Sequence, residues 1–392
     1  MENLGIYIQI PFCPSKCSFC NFSSGVAPAH LIEDYSRALH REIDGLNNFC
    51  GQREILLDFL SLPADSVYIG GGTPPLLGAE TLVELVRRLR GRFNMMNLAE
   101  FTLEMTPGSA DLDFLLKVRS AGVNRLSVGA QSFIDEELRA VGRLHQAEET
   151  RRQVLIARQA GFDNIGLDLI GGLPHQTQES WEKSLEQVAR LRPEHVSVYL
   201  FEIDGKSRLG REVLRQGERY HAAQVPGDDF MAEAYERARE SLTAEGYRQY
   251  ELSNFALPGH ESIHNRKYWR LDPYLGLGAG AHSFDGTRRW SNEVSADAYI
   301  KKMDNGQSPI AESHALTHEE QVEEYFFLGL RQCEGVSLQP ASDRWREFRQ
   351  GDWPWRIERL LAEGFLEKQG EHIRLPEHAY LVSNEVFQEF LV

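Results

Sequence analysis

Three cysteines near the start of the chain carry the densest chemistry in the sequence. Cys13, Cys17 and Cys20 lie in the run Pro11-Phe12-Cys13-Pro14-Ser15-Lys16-Cys17-Ser18-Phe19-Cys20, a C-x3-C-x2-C spacing. Soft thiolates packed this closely select zinc or an iron–sulfur centre. Structural zinc takes four closed ligands, often in C-x2-C pairs, yet Phe22 stands where a further cysteine could sit. Three cysteines on a [4Fe–4S] cluster leave one iron open. An open iron can accept a small chelating ligand through an amino and a carboxylate group. A loop of three merely buried thiols is the remaining alternative. Cys50 and Cys333 stand alone and read as half-buried apolar residues. An odd total of five cysteines disfavours a disulfide framework.

A second set of candidates is spread over the first 170 positions. Gly70-Gly71-Gly72-Thr73-Pro74 is a turn in which backbone can approach a ligand closely. Glu104 interrupts the apolar run Phe-Thr-Leu-Glu-Met, and Asp168 interrupts Ile-Gly-Leu-Asp-Leu-Ile. A carboxylate inside such a run is costly unless paired. Gln131 ends Ser-Val-Gly-Ala-Gln, Arg143 lies in Val-Gly-Arg-Leu-His, and Tyr7 alternates with isoleucines in Ile6-Tyr7-Ile8. Any one of them reads most simply as a core polar group or a helix cap; in this order they point to one site.

The elements that must position these residues follow from hydrophobic periodicity. Short β-rich runs at 6–10, 67–69, 101–105, 125–128, 165–170 and 196–200 alternate with helix-period stretches near 30–48, 79–92, 111–121, 148–160 and 178–190. Gly122 and Gly161 follow helices, as C-terminal caps do. Strand–helix alternation predicts a parallel sheet, here an open, partial (βα)6 TIM-like barrel. In such folds ligands bind where the strands end, which is where the candidates lie. After residue 205 the alternation stops. Residues 228–246 and 315–332 read as helices and 247–300 as irregular. Residues 342–392 read as short helices with a strand pair near 365–374. The expected organisation is a barrel over 1–205, an extension over 206–314, and a smaller α+β, winged-helix-like domain over 315–392.

Composition narrows the function classes. Lys+Arg is 42 against 58 Asp+Glu, a net charge of −16, which argues against a nucleic-acid coat or a polybasic membrane surface. No apolar run reaches the length of a spanning helix. The start MENLGIYIQIPFC lacks the basic and apolar regions of a secretory signal, so a cytoplasmic location is expected.

The C-x3-C-x2-C run after a short apolar strand resembles the radical S-adenosylmethionine (SAM) superfamily. The resemblance sharpens with Tyr-Ile-Gln-Ile-Pro-Phe-Cys, Gly-Gly-Gly-Thr-Pro, Leu-Glu-Met-Thr-Pro, Ser-Val-Gly-Ala-Gln-Ser-Phe, Gly-Arg-Leu-His and Leu-Asp-Leu-Ile-Gly-Gly-Leu-Pro. Together these look like the oxygen-independent coproporphyrinogen oxidase superfamily, over about residues 5–390. The resemblance implies that Cys13, Cys17 and Cys20 hold a [4Fe–4S] cluster whose fourth iron is capped by SAM. It implies SAM contacts for Tyr7, Gly71, Gly72, Thr73, Glu104, Gln131, Arg143 and Asp168. Gly71, Gly72 and Thr73 would face the methionine amino group, and Phe19 would pack near the adenine.

That superfamily holds an oxidase branch and a heme-chaperone branch, and three features resemble the second. Phe22 occupies the position of the oxidase's extra cysteine. The first cysteine is residue 13, which leaves no room for the oxidase's N-terminal extension. His264-Asn265-Arg266-Lys267-Tyr268-Trp269 matches the chaperone's H-N-x-x-Y-W motif, and Tyr250–Ala256 and Tyr274–Phe284 agree with it. Histidine is a common heme ligand, and Tyr268 and Trp269 could pack on a porphyrin face. On residue types alone, the motif reads as a surface loop capping the barrel mouth with His264 hydrogen-bonded. The resemblance implies heme contact by His264, Asn265, Tyr268 and Trp269 without fixing an axial ligand; His260 and His282 are further candidates. The expected function is therefore a heme chaperone that delivers heme to an acceptor hemoprotein, with a homodimer as a further expectation. The alternative is radical SAM oxidative decarboxylation of coproporphyrinogen III. No catalytic residue is assigned.

Overall fold

The computed structural model of the protein describes residues 3–53, 55 and 61–391. Strands β1 (Leu4–Ile10), β2 (Ala64–Gly71), β3 (Glu100–Met105), β4 (Arg125–Gln131), β5 (Ile165–Gly171) and β6 (His195–Leu200) pair in parallel in chain order. Helices α1 (Ala29–Gly51), α2 (Ala79–Arg92), α3 (Leu112–Ala121), α4 (Asp135–Ala140), α5 (Ala147–Gln159) and α6 (Gln178–Leu191) lie between them in the chain. The strands match the six runs read from sequence. The period-2 alternation explains the layering. Ile6, Ile8, Val67, Ile69, Phe101, Leu103, Leu126 and Val128 join Leu39, Leu82, Leu115 and Val154 of the helices in one buried core. The intervening residues, Tyr7, Tyr68, Glu104, Arg125, Ser127, Asp168 and Ser197, line a cavity inside the barrel.

Local chemistry ends the helices where periodicity does. Asp111 accepts a hydrogen bond from the Phe114 amide at the start of α3, and Gly122 closes that helix at φ 115°. Thr177 and Ser180 form a reciprocal capping box at α6.

Residues 247–300, expected to be irregular, are ordered into short elements. After α7 (Arg208–Leu214) and α8 (Asp228–Ala244) come β7 (Arg248–Glu251), β8 (Asn254–Ala256), α9 (Ile263–Arg270), β9 (Tyr274–Leu277), β10 (His282–Phe284), β11 (Arg288–Asn292), α10 (Ala296–Asp304) and β12 (Ile310–Ala315). Strands this short carry too few residues for alternation to show. They widen the sheet to twelve strands, in the order β12-β11-β10-β9-β1-β2-β3-β4-β5-β6-β8-β7. β9 runs parallel to β1, while β8 is antiparallel to β6. Leu275, Leu277, Trp290, Tyr299 and Met303 share the barrel's core. Cys50, expected to be half-buried, lies fully inside it. A buried carboxylate fastens this edge: Glu42 of α1 accepts from the Gly278 amide, Asn292 and the Tyr299 hydroxyl at 2.6–2.7 Å.

The C-terminal part has its own core, with Val322 and Phe326 of α11 (His318–Gly329) packed against Trp345, Phe348, Trp353, Ile357 and Phe390. A three-stranded sheet formed by Val336–Ser337, His372–Arg374 and Glu367–Gln369 lies beside these helices. Among the described residues no helix is long and apolar enough to cross a membrane.

Candidate functional site

The cysteine loop follows β1 directly and lies over the carboxyl ends of the strands. Backbone bonds hold it in place: Cys13 N to Gly25 O at 2.9 Å, Thr73 N to Phe12 O at 2.7 Å, and Ser18 N to Val141 O at 3.0 Å. Cys13, Cys17 and Cys20 line one cavity of about 100 Å³ together with Gly71, Gly72 and Thr73. Each sulfur has a polar neighbour. Ser24 Oγ is 3.6 Å from Cys13, Arg143 Nη1 is 3.7 Å from Cys17, and Lys16 Nζ is 3.6 Å from Cys20. Burial pushes the Cys13 thiol up.

This donor set fits a four-iron cluster. Three thiols surround a small cavity rather than converge, and among the described residues no three His, Cys, Asp or Glu side chains could hold one metal ion. Two cations beside the sulfurs offset thiolate charge and donate to sulfur, which are the protein's usual means of tuning such a cluster.

The strand ends supply the next shell. Gly71 has φ 102°, and a side chain there would strike the Gln9 carboxamide. At Gly72 a Cβ would meet the carbonyl oxygens of Phe12 and Ile10. The turn is therefore closed to every other residue. The Gly71 amide donates to Glu104 Oε2 at 2.9 Å. Burial, reinforced by Asp168 and opposed by that amide and by Arg143, pushes the Glu104 carboxyl up to about 7. What exposure Glu104 has is to the cavity. Asp168 is also raised by burial, against hydrogen bonds from Ser197 and Ser127 and the charges of Arg125 and Arg143. Gln131 adopts φ 67°, a left-handed conformation uncommon outside glycine, and lines both this cavity and the larger one below. Arg143 Nη2 donates to Gly129 O at 2.6 Å, which holds its guanidinium between Cys17 and Gln131's strand. Thr73 is buried, its hydroxyl 3.3 Å from that of Thr106.

Below the cysteines the cavity opens to about 610 Å³. Phe19, Phe22, Gly71, Glu104 and Gln131 are common to both spaces, so the two adjoin. Tyr7 faces in, as alternation predicts; its hydroxyl donates to Gln9 at 2.7 Å and burial holds it far above the usual phenol range.

The H-N-x-x-Y-W segment is neither a loop nor at the mouth. It forms α9, which plugs the opposite end of the barrel, at the amino ends of β1–β3. Glu100, the first residue of β3, accepts from Ser262 Oγ and from the Ile263 and His264 amides at 3.2, 2.8 and 3.1 Å. A carboxylate at a helix N-terminus is favoured by the unpaired amides and the helix dipole. Lys267 is buried and pairs with Asp65 at 2.9 Å. Gly5 lets α9 come close, since a Cβ there would press on Lys267 at 2.7 Å. His264, Asn265 and Tyr268 form the cavity floor, whereas Trp269 lies outside it against Tyr250, with ring centroids 6.0 Å apart. Both His264 nitrogens are engaged, Nδ1 with Ser66 Oγ at 3.1 Å and Nε2 with Tyr268 Oη at 2.9 Å. Burial, with Lys267 and Arg125 nearby, pulls its pKa down to about 3. His260 and His282 do not line this cavity.

The structure thus gathers the cysteines, Phe19, Gly71, Gly72, Thr73, Glu104, Gln131 and Arg143 at one end and the residues of α9, except Trp269, at the other, with Tyr7 and Asp168 on the wall of the larger cavity between them. Sequence reasoning missed Tyr68, Arg125, Ser127, Ser197 and Tyr199 on the cavity wall. Their signal was available: each sits an even number of residues from an inward-facing neighbour on its strand.

Comparison with known proteins agrees with this geometry. The family model described as the radical SAM superfamily matches residues 7–188, and that of the HemN C-terminal domain matches 316–382. The chain is 35% identical over 386 residues to the heme chaperone HemW of Bacillus subtilis, covering 98% of each. It is 30% identical to that of Mycobacterium tuberculosis, covering 100% of this chain and 95% of the relative. Among solved structures, coproporphyrinogen III oxidase (HemN) from Escherichia coli superposes with a TM-score of 0.83 at 26% identity, covering 99% of this chain and 90% of the other.

Proposed function

We propose, for a chain that belongs to the HemW heme-chaperone family of the radical SAM superfamily, that it binds heme beside a [4Fe–4S] cluster and SAM and passes the heme to an acceptor hemoprotein in the cytoplasm. The observation that carries this reading is the pair of adjoining cavities running from three thiols to the floor built by α9. Cys13, Cys17 and Cys20 would hold the cluster, which with SAM supplies one-electron chemistry. Gly71 and Gly72 expose backbone to the methionine end. Glu104 is a buried carboxyl suited to an ammonium partner, and Gln131, Arg143 and Asp168 offer polar groups along the same wall. Phe19 offers an apolar face to the adenine. His264, Asn265 and Tyr268 would meet by packing and hydrogen bonding the part of the heme that reaches the floor. With both ring nitrogens of His264 engaged, iron ligation is not its role in this arrangement.

The likeness to the oxidase favours one second reading, decarboxylation of coproporphyrinogen III. A single experiment separates them. Anaerobically reconstituted protein is mixed with SAM, a reductant and coproporphyrinogen III, and in parallel titrated with hemin and then with an apo-hemoprotein. The expected result is saturable heme absorbance that moves to the acceptor, with no protoporphyrinogen IX. Turnover to protoporphyrinogen overturns the chaperone reading.

A further inference from the structure

The polar groups of the barrel interior are mostly matched, and Arg125 is a prominent exception on the large cavity. Arg125 of β4 is 1% exposed and its side chain lines the large cavity. A guanidinium carries five N–H donors in a fixed fork. Among the described residues Nη1 donates to Thr102 Oγ1 at 3.3 Å, and Nε has no partner. Among the described residues no carboxylate forms an ion pair with it. The charges of Glu100 and Asp168 favour the cation from nearby, but neither closes a contact with it: Glu100 caps α9, and Asp168 accepts from Ser127 at 3.4 Å. Buried donors left open are costly even where the charge is offset at a distance, and a planar fork matches a carboxylate.

The size of the cavity limits what that anion can be. About 610 Å³ is room for roughly one drug-sized ligand. SAM at the Gly71, Glu104 and Asp168 wall would take much of it. A whole tetrapyrrole cannot share the remainder, but a propionate arm can. We propose that Arg125 is the carboxylate anchor of the barrel, receiving one propionate of the tetrapyrrole ligand. This rests on the heme-binding reading above and adds to it the group that fixes the ligand's orientation.

The test masks the carboxylates on the ligand before it touches the protein. Cluster-loaded protein with SAM is titrated with hemin and with hemin dimethyl ester, following the Soret band. Wild type is expected to bind the ester about tenfold or more weakly, the loss of a charge-assisted bidentate contact. Arg125→Gln should bind hemin about as weakly as wild type binds the ester, with no further loss for the ester. Arg125→Lys should recover part of the preference. Equal affinity of wild type for acid and ester overturns the proposal and leaves heme binding intact; this arm needs no variant to fold. An acid preference that survives in Arg125→Gln also overturns it. If wild type binds neither compound, the heme reading itself fails and the anchor falls with it.

Discussion

The mouth and the floor of this barrel are built from the same kinds of side chain, yet they stand in opposite conditions. At the floor the groups that hold α9 have their partners: Glu100 accepts three hydrogen bonds from the start of α9, Lys267 pairs with Asp65, and His264 is held at both nitrogens, while Arg125 beside them keeps open donors. At the mouth the groups are gathered but unfinished. Three thiols surround a small space, Glu104 is raised to about 7 by burial, and Gln131 is held at φ 67°. Satisfied polar groups make a plug, whereas unsatisfied ones mark where something else must arrive. The same side-chain types therefore read as structure at one end and as binding at the other.

The sharpest way to break this contrast is at the cysteines. Cys17→Ser should abolish the broad visible absorption of the anaerobically reconstituted protein while leaving its far-ultraviolet circular dichroism unchanged. Retention of a full four-iron cluster would remove the mouth's claim to be a cluster site. Cys50→Ser, in the core, should leave the cluster's spectrum alone, because that sulfur does not line the cavity of the three cysteines.

Much of this contrast was legible in the sequence, though unevenly. The six strands, their helices and the residues at their carboxyl ends followed from alternation, glycine punctuation and the spacing of Cys13, Cys17 and Cys20, because each of those signals is local. The place of α9 did not follow. His264-Asn265-Arg266-Lys267-Tyr268-Trp269 is polar and short, and what sends it beneath the barrel is a set of partners far away in sequence: Glu100, Asp65, Ser66 and the space above Gly5. Arg125 escaped notice for a related reason. Its inward direction could be read from the even spacing to Ser127, but only the fold shows how few partners meet it there.

Cutting the floor should cost folding stability rather than ligand chemistry. Glu100→Ala leaves the first amides of α9 and the Ser262 hydroxyl without their buried acceptor, and a loss of about 2–4 kcal/mol is expected. Urea unfolding of the cluster-free protein measures it. A change below about 0.5 kcal/mol would mean that α9 is held by its apolar contacts alone.

The mouth should answer in the opposite sense. A carboxyl whose folded-state pKa is raised favours the protonated form, so its contribution is fully present below about pH 4.5 and is lost as pH rises through about 7. The cluster-free protein should therefore lose about 1–2 kcal/mol between about pH 5 and pH 8 that Glu104→Gln does not lose. The same substitution should weaken SAM binding about tenfold, since the ammonium loses its ionic partner. A variant that is no more stable at pH 8 and binds SAM normally would place Glu104 with the floor residues, as structure.

The smallest effect is expected on the cavity face of the floor, at His264. Its ring faces the cavity but keeps both nitrogens for Ser66 and Tyr268. Burial holds it neutral to about pH 3, so acidification through the physiological range should not release it. His264→Ala should therefore weaken heme binding only about two- to fivefold, through lost packing and a freed Tyr268 hydroxyl, and the Soret maximum should stay where it is. Stability should fall by about 1–2 kcal/mol as Ser66 and Tyr268 lose a buried partner. A shifted Soret maximum, or a loss beyond about tenfold in affinity, would show that the ring leaves its two partners to reach iron. The floor would then be a second unfinished end, completed by its ligand as proposed for the mouth.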